Sequence, residues 1–187
     1  MRDVELPGEL VDYFRSSTVA LSLGAADGDH ELLLTNEPFS RLTGYVPSEI
    51  IGRNCRFLQG QQVDAEAREK IHAFLREDRI ANVRTPLVNF RKNGVPFVNL
   101  LYMSKLTAMA GKVRYIFASQ FDISRTQPDL LQDYDTSLGN VLDRLSPVLA
   151  NSGMIVEGSL LTIANTAAMV AQAKVTLAEL DSSSGLL

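Results

Sequence analysis

Gly52-Arg53-Asn54-Cys55-Arg56-Phe57-Leu58-Gln59-Gly60 carries the only cysteine of a 187-residue chain. A free cysteine is ordinarily a small buried hydrophobe. Here its neighbours are Asn54 and Gln59, whose amides both donate and accept, and Arg56, a planar cation suited to phosphate. The thiol is therefore either an inert core residue or one presented to a polar ligand. A lone cysteine excludes an intrachain disulfide, a CxxC redox pair and a zinc ribbon. The two histidines, His30 and His72, lie far from it in sequence and show no metal-ligand spacing. No glycine-rich phosphate loop follows a strand, and the carboxylates show no acid/base pairing.

Working outward, the flanks define an α+β layout. Upstream, 7–17 reads as a short amphipathic helix with Leu10, Val11 and Phe14 on one face. Apolar runs at 19–24 and 32–35 enclose Ala25-Ala26-Asp27-Gly28-Asp29, a hairpin signal because Asp-Gly tolerates the positive φ of a tight turn. Helical turns follow at 36–43 and 47–51. Downstream, 64–78 is a longer helix, with Asp64 as N-cap and Ile71, Phe74 and Leu75 as its apolar stripe. Three strand-like runs, 83–90, 97–106 and 114–123, are joined by glycine-containing turns. Pro86 places the first of them at an edge or at a bulge. The order predicts a five-stranded antiparallel sheet with its helices grouped in the middle of the chain and packed on one face.

Composition changes near residue 126. The chain is 45% apolar and 21% charged, enough for a core, with net charge −4. Residues 127–187 carry −5 of that and the rest is +1. The tail begins with Pro128 at a first helical position. Leu131, Tyr134, Leu138, Leu142, Leu145 and Leu149 follow at heptad-like spacing, and Pro147 is expected to kink or end the helix. A second, nearly all-apolar helix is expected over 159–180. Its Asn165, Gln172, threonines and alanines argue against a membrane span and for packing on the first tail helix or on a second copy of the chain. The start, Met1-Arg2-Asp3-Val4-Glu5, shows no basic-plus-apolar leader, so the expected compartment is reducing and cytoplasmic.

The run Asn54-Cys55-Arg56-Phe57-Leu58-Gln59 strongly resembles the hallmark of the light-oxygen-voltage (LOV) family, flavin-binding blue-light receptors of the PAS superfold. Val88-Asn89-Phe90-Arg91-Lys92-Asn93-Gly94, Phe97-Val98-Asn99 and Ser119-Gln120-Phe121-Asp122 match its later motifs. The resemblance implies an N-terminal helical cap over 1–17, a PAS/LOV sensor over 18–126 and a C-terminal helical extension over 127–187. It implies that Cys55 forms a reversible thioether to flavin carbon C4a after blue-light excitation. Asn54 and Gln59 would bond the ring and ribityl chain, and Asn89 and Asn99 the pyrimidine edge. Gln120 would sit at ring nitrogen N5, answer its protonation by rotating its amide, and relay the change to the tail. Leu58, Ile71, Leu75, Leu101, Met103 and Phe117 would supply apolar walls.

Three positions depart from the family pattern. Where members binding a phosphorylated flavin carry a second arginine, this chain has His72. Either Arg68, one turn earlier, takes over the phosphate contact, or riboflavin competes. The retained Arg56 favours FMN. Val98 replaces a tryptophan and makes that wall smaller. The loop at 79–82 is slightly longer than usual. The implied protein is a photosensor without catalytic output that acts as a homodimer through its tail and on a downstream protein partner. Two alternatives keep parts of this reading. A helix-turn-helix-like tail would make a DNA-binding regulator, which the −5 charge opposes because phosphate neutralisation needs clustered Lys and Arg. A PAS flavin redox sensor would leave the Cys55 motif unused.

Overall fold

Asp27-Gly28 reverses the chain as its chemistry requires, with Gly28 at φ 66° and His30 at 52°. The computed structural model describes residues 6–60, 64–125 and 128–156. Helix α1 (Gly8–Ser16) leads into β1 (Ala20–Ala25), which pairs antiparallel with β2 (Leu32–Thr35). Short helices α2 (Glu37–Thr43) and α3 (Pro47–Ile50), a 3-10 turn at Cys55–Leu58 and α4 (Ala65–Arg76) follow. Asp64 caps α4 by accepting from the Ala67 N–H. Strands β3 (Asn82–Phe90), β4 (Pro96–Ala108) and β5 (Val113–Asp122) complete an antiparallel sheet of order β2-β1-β5-β4-β3. Pro86 sits on β3, an edge strand, where a missing N–H is tolerated.

The sheet is buried on both faces. On one, α2, α3 and α4 contribute Phe39, Ile50, Ile71 and Phe74 to three small apolar clusters. On the other, Leu10 and Phe14 of α1 meet Leu21, Leu23, Leu100 and Phe117. Helix α5 (Pro128–Asn151) lies on that same face. Its Tyr134, Leu138, Leu142, Leu145 and Leu149 are buried there, so the heptad-like stripe is spent inside this chain. Each such leucine contributes about 1.5–3 kcal/mol of apolar transfer. Asn36 fastens the layers: its Oδ1 accepts from Leu21 N (2.9 Å) and Phe39 N (3.1 Å), and its Nδ2 donates to Phe14 O (3.2 Å) and Val19 O (2.8 Å).

Three details differ from the sequence reading. Of the two effects expected of Pro147, ending the helix does not occur, for α5 runs on to Asn151. Pro147 and Asp143, whose carbonyl loses its usual donor, are both exposed, so water can serve that carbonyl. A sixth strand, β6 (Met154–Val156), pairs with the end of β4 beyond the reach of β3. Phe117 is on the α1/α5 side of the sheet and is no wall of the site face, because β5 alternates and Gln120 takes the opposite parity. The boundary residues 126–127 and the helix expected over 159–180 lie outside the described residues.

Candidate functional site

The site is built on the sheet face covered by α2, α3 and α4. Alternation puts Ser22 of β1, Leu87 and Asn89 of β3, Asn99, Leu101 and Met103 of β4, and Ile116, Ala118 and Gln120 of β5 on that face. The register agrees, with Leu101 opposite Gln120 and Met103 opposite Ala118. Ile71 and Leu75 of α4 and the 52–60 segment close it over. The resulting cavity encloses about 730 Å³ of empty space, its open mouth included. Twelve expected residues line it together: Asn54, Cys55, Arg56, Leu58, Gln59, Ile71, Leu75, Asn89, Asn99, Leu101, Met103 and Gln120. Arg68 and His72 do not; both are exposed on α4. Ser22, Gly24, His30, Leu32, Leu87, Ile116 and Ala118 line it too, though no motif marked them. Strand parity, once Gln120 and Asn99 were placed, would have found Ala118, Ile116 and Leu87.

Local geometry presents the cysteine. Asn54 Oδ1 accepts from Arg56 N at 2.9 Å and so caps the 3-10 turn that begins at Cys55. Gly60 ends the segment at φ 62°, and a Cβ there would stand 2.6 Å from the Phe90 ring, so only glycine lets the segment seat on β3. Cys55 is half-buried, and burial pushes its thiol up to about 12. The sulfur therefore holds its proton at neutral pH.

The polar groups gather at the β3–β4–β5 wall. Asn99 Nδ2 donates to Asn89 Oδ1 at 2.9 Å, and Asn99 Oδ1 accepts from Phe121 N at 3.2 Å. Gln120 Nε2 donates to Ser22 Oγ at 3.0 Å, while its buried Oε1 has no partner. A buried acceptor without a donor costs about 1–3 kcal/mol. Amides at one wall, nine apolar side chains around them and this orphaned oxygen fit a flat, neutral heterocycle bearing donors and acceptors. At the mouth, Arg56 is ion-paired to Asp29.

The other side of β5 meets the tail. Ser119 and Phe121, the two neighbours of Gln120, both contact Tyr134 of α5. Ser119 Oγ lies 2.6 Å from the Tyr134 hydroxyl, and the Phe121 and Tyr134 rings stack at 4.4 Å. Buried Arg84 sits 5.7 Å over the same ring and pairs with Asp135.

Known proteins resemble this chain in sequence and in fold. The PAS domain family matches residues 19–125, more than half of the chain. A blue-light-activated histidine kinase of Brucella anthropi is 38% identical over 96 residues, 51% of this chain and 19% of that protein. Phototropin-2 of Oryza sativa subsp. japonica is 39% identical over 97 residues, 52% of this chain and 10% of that one. The matched part is thus at most a fifth of either relative's length. The crystal structure of the Rhodobacter sphaeroides LOV protein is 26% identical, with a TM-score of 0.67 and 95% of each chain covered. Among the described residues no helix is long and apolar enough to cross a membrane, and no three His, Cys, Asp or Glu side chains cluster to hold a metal.

Proposed function

Since the chain belongs to the PAS domain family and carries a LOV photoreceptor domain, we propose that it senses blue light through a reversible thioether between Cys55 and carbon C4a of a bound FMN. When bound, the flavin supplies the absorption of blue light and a ring carbon that accepts a thiol. The single observation carrying this reading is the convergence of Cys55, Asn89, Asn99 and Gln120 on one cavity, where Gln120 Oε1 lacks a donor.

The chain's own residues divide the work. Cys55 offers a neutral thiol, protonated through the physiological range. Asn89 and Asn99, already locked to each other, read the ring's polar edge. Asn54 and Gln59 hold the ring and ribityl chain from the 52–60 segment. Gln120 can exchange its donor for its acceptor by rotating, and Ser22 Oγ can serve either orientation because a hydroxyl both donates and accepts. A shift of β5 reaches Tyr134 through Ser119 and Phe121, one residue to either side of Gln120. The output is a changed homodimer, read by contact with a protein partner.

Absorption spectroscopy tests the chemistry. The purified chain should show a structured flavin band in the blue that bleaches under blue light and returns in the dark. Cys55→Ala should keep the band and lose the bleaching. A colourless protein, or bleaching indifferent to Cys55→Ala, would refute the reading.

A further inference from the structure

We infer that Asp29, by occupying Arg56, makes this cavity nearly indifferent to a phosphate on its ligand, so that riboflavin binds with an affinity close to that of FMN. The inference rests on the flavin reading above and concerns which flavin the site selects.

Among the described residues lining the cavity, Arg56 is the one Arg or Lys. Its guanidinium is ion-paired to the Asp29 carboxylate at the mouth. The other basic side chains nearby are committed or distant. Arg53 lies 4.9 Å over the Phe57 ring and donates to Glu49 O at 3.3 Å. Arg68 and His72 are exposed and outside the lining. His30, at the mouth, has its Nδ1 3.2 Å from Ala25 O.

Asp29 is not a stray surface acid, because its loop is fastened to the segment that bears Arg56. Its carbonyl accepts from Asn54 Nδ2, Glu31 bridges to Asn54, Leu32 N donates to Arg53 O at 2.9 Å, and Gly52 N donates to Leu32 O at 2.8 Å. The backbone of Asp29 is thus held beside the Arg56 segment, and its carboxylate remains within reach of the guanidinium. A phosphate there must share the guanidinium with the neighbouring carboxylate and meets its repulsion, whereas a ribityl hydroxyl does not.

The test titrates the flavin-free full chain with FMN and with riboflavin, following quenching of flavin fluorescence. The two dissociation constants should lie within about tenfold of each other. Asp29→Asn should tighten FMN about tenfold and leave riboflavin unchanged, and added salt should erase the gain. Arg56→Gln in the Asp29→Asn background should remove it. The exposed pair contributes little to folding, so the Asp29→Asn variant should melt with the wild type. A wild-type preference for FMN of more than about tenfold, or an Asp29→Asn change that moves both flavins alike or neither, would overturn the inference. Failure of both flavins to bind the wild type would overturn the flavin reading itself, and this inference with it.

Discussion

Cys55 and Tyr134 keep their protons for the same reason: their neutral forms are buried on opposite faces of one sheet. Burial raises the thiol from its ordinary 9.0 to about 12. It raises Tyr134 from 10.0 to about 12 against the opposing pull of the Ser119 hydrogen bond and the Arg84 charge. Tyr13 and Tyr102 shift the same way, again by burial. All four are neutral when protonated, so above their ordinary values the unfolded chain releases protons that the folded chain retains. Folding stability in the dark should therefore be insensitive to these groups below about pH 8 and fall steadily as pH rises above it. Thermal midpoints across the alkaline range check this. Tyr134→Phe should flatten the slope while costing about 0.5–1.5 kcal/mol for the lost Ser119 bond. An alkaline limb as steep in Tyr134→Phe as in the wild type would show that Tyr134 does not contribute to it.

At the scale of elements, the two faces of the sheet separate ligand binding from stability. Leu145 of α5 is fully buried on the face away from the cavity. Leu145→Ala should destabilise the chain by about 2–5 kcal/mol in urea unfolding. Flavin affinity should stay within about twofold, because distant sites add nearly independently. A parallel loss of affinity would mean that α5 shapes the cavity. This division was only partly legible in the sequence. The strands and the motif residues could be read because alternation and turn glycines mark them. Phe117 was misplaced because Ile116, Phe117 and Ala118 are all apolar on a strand buried on both faces, so hydropathy alone gives no parity. The polar Gln120 does give it, and excludes Phe117 from the cavity. Ser22 and His30 carry no motif and enter the site through the register and turn of the β1–β2 hairpin. β6 is three residues long, too short for periodicity to show.

For the whole molecule, the heptad-like stripe of α5 no longer argues for a partner, since this chain buries it. The case for a homodimer moves to what lies beyond. Met109, on the β4–β5 turn, is 85% exposed, and Ile155 of β6 is 54% exposed. Met109 N donates to Gly153 O at 3.0 Å, which brings that turn beside the α5–β6 turn. In the sequence, β6 is followed by 157–187, Ala- and Leu-rich with one lysine and three acids. Exposed apolar residues on the described part, and an Ala- and Leu-rich stretch later in the sequence, suit self-association better than nucleic acid, which the −5 charge of 127–187 also disfavours. The two ends of the proposed signal path are joined here too. Tyr134 starts the turn of α5 that β5 grips, and α5 leads through Gly153 into β6 and onward. Light-scattering mass measurement on the eluting full chain should give a dimer in the dark and a changed dimer fraction under blue light. Met109→Lys should weaken the dimer without altering the flavin band. A monomer in both dark and light would refute the dimer. An unchanged dimer in both would leave the photochemistry standing and break its link to assembly.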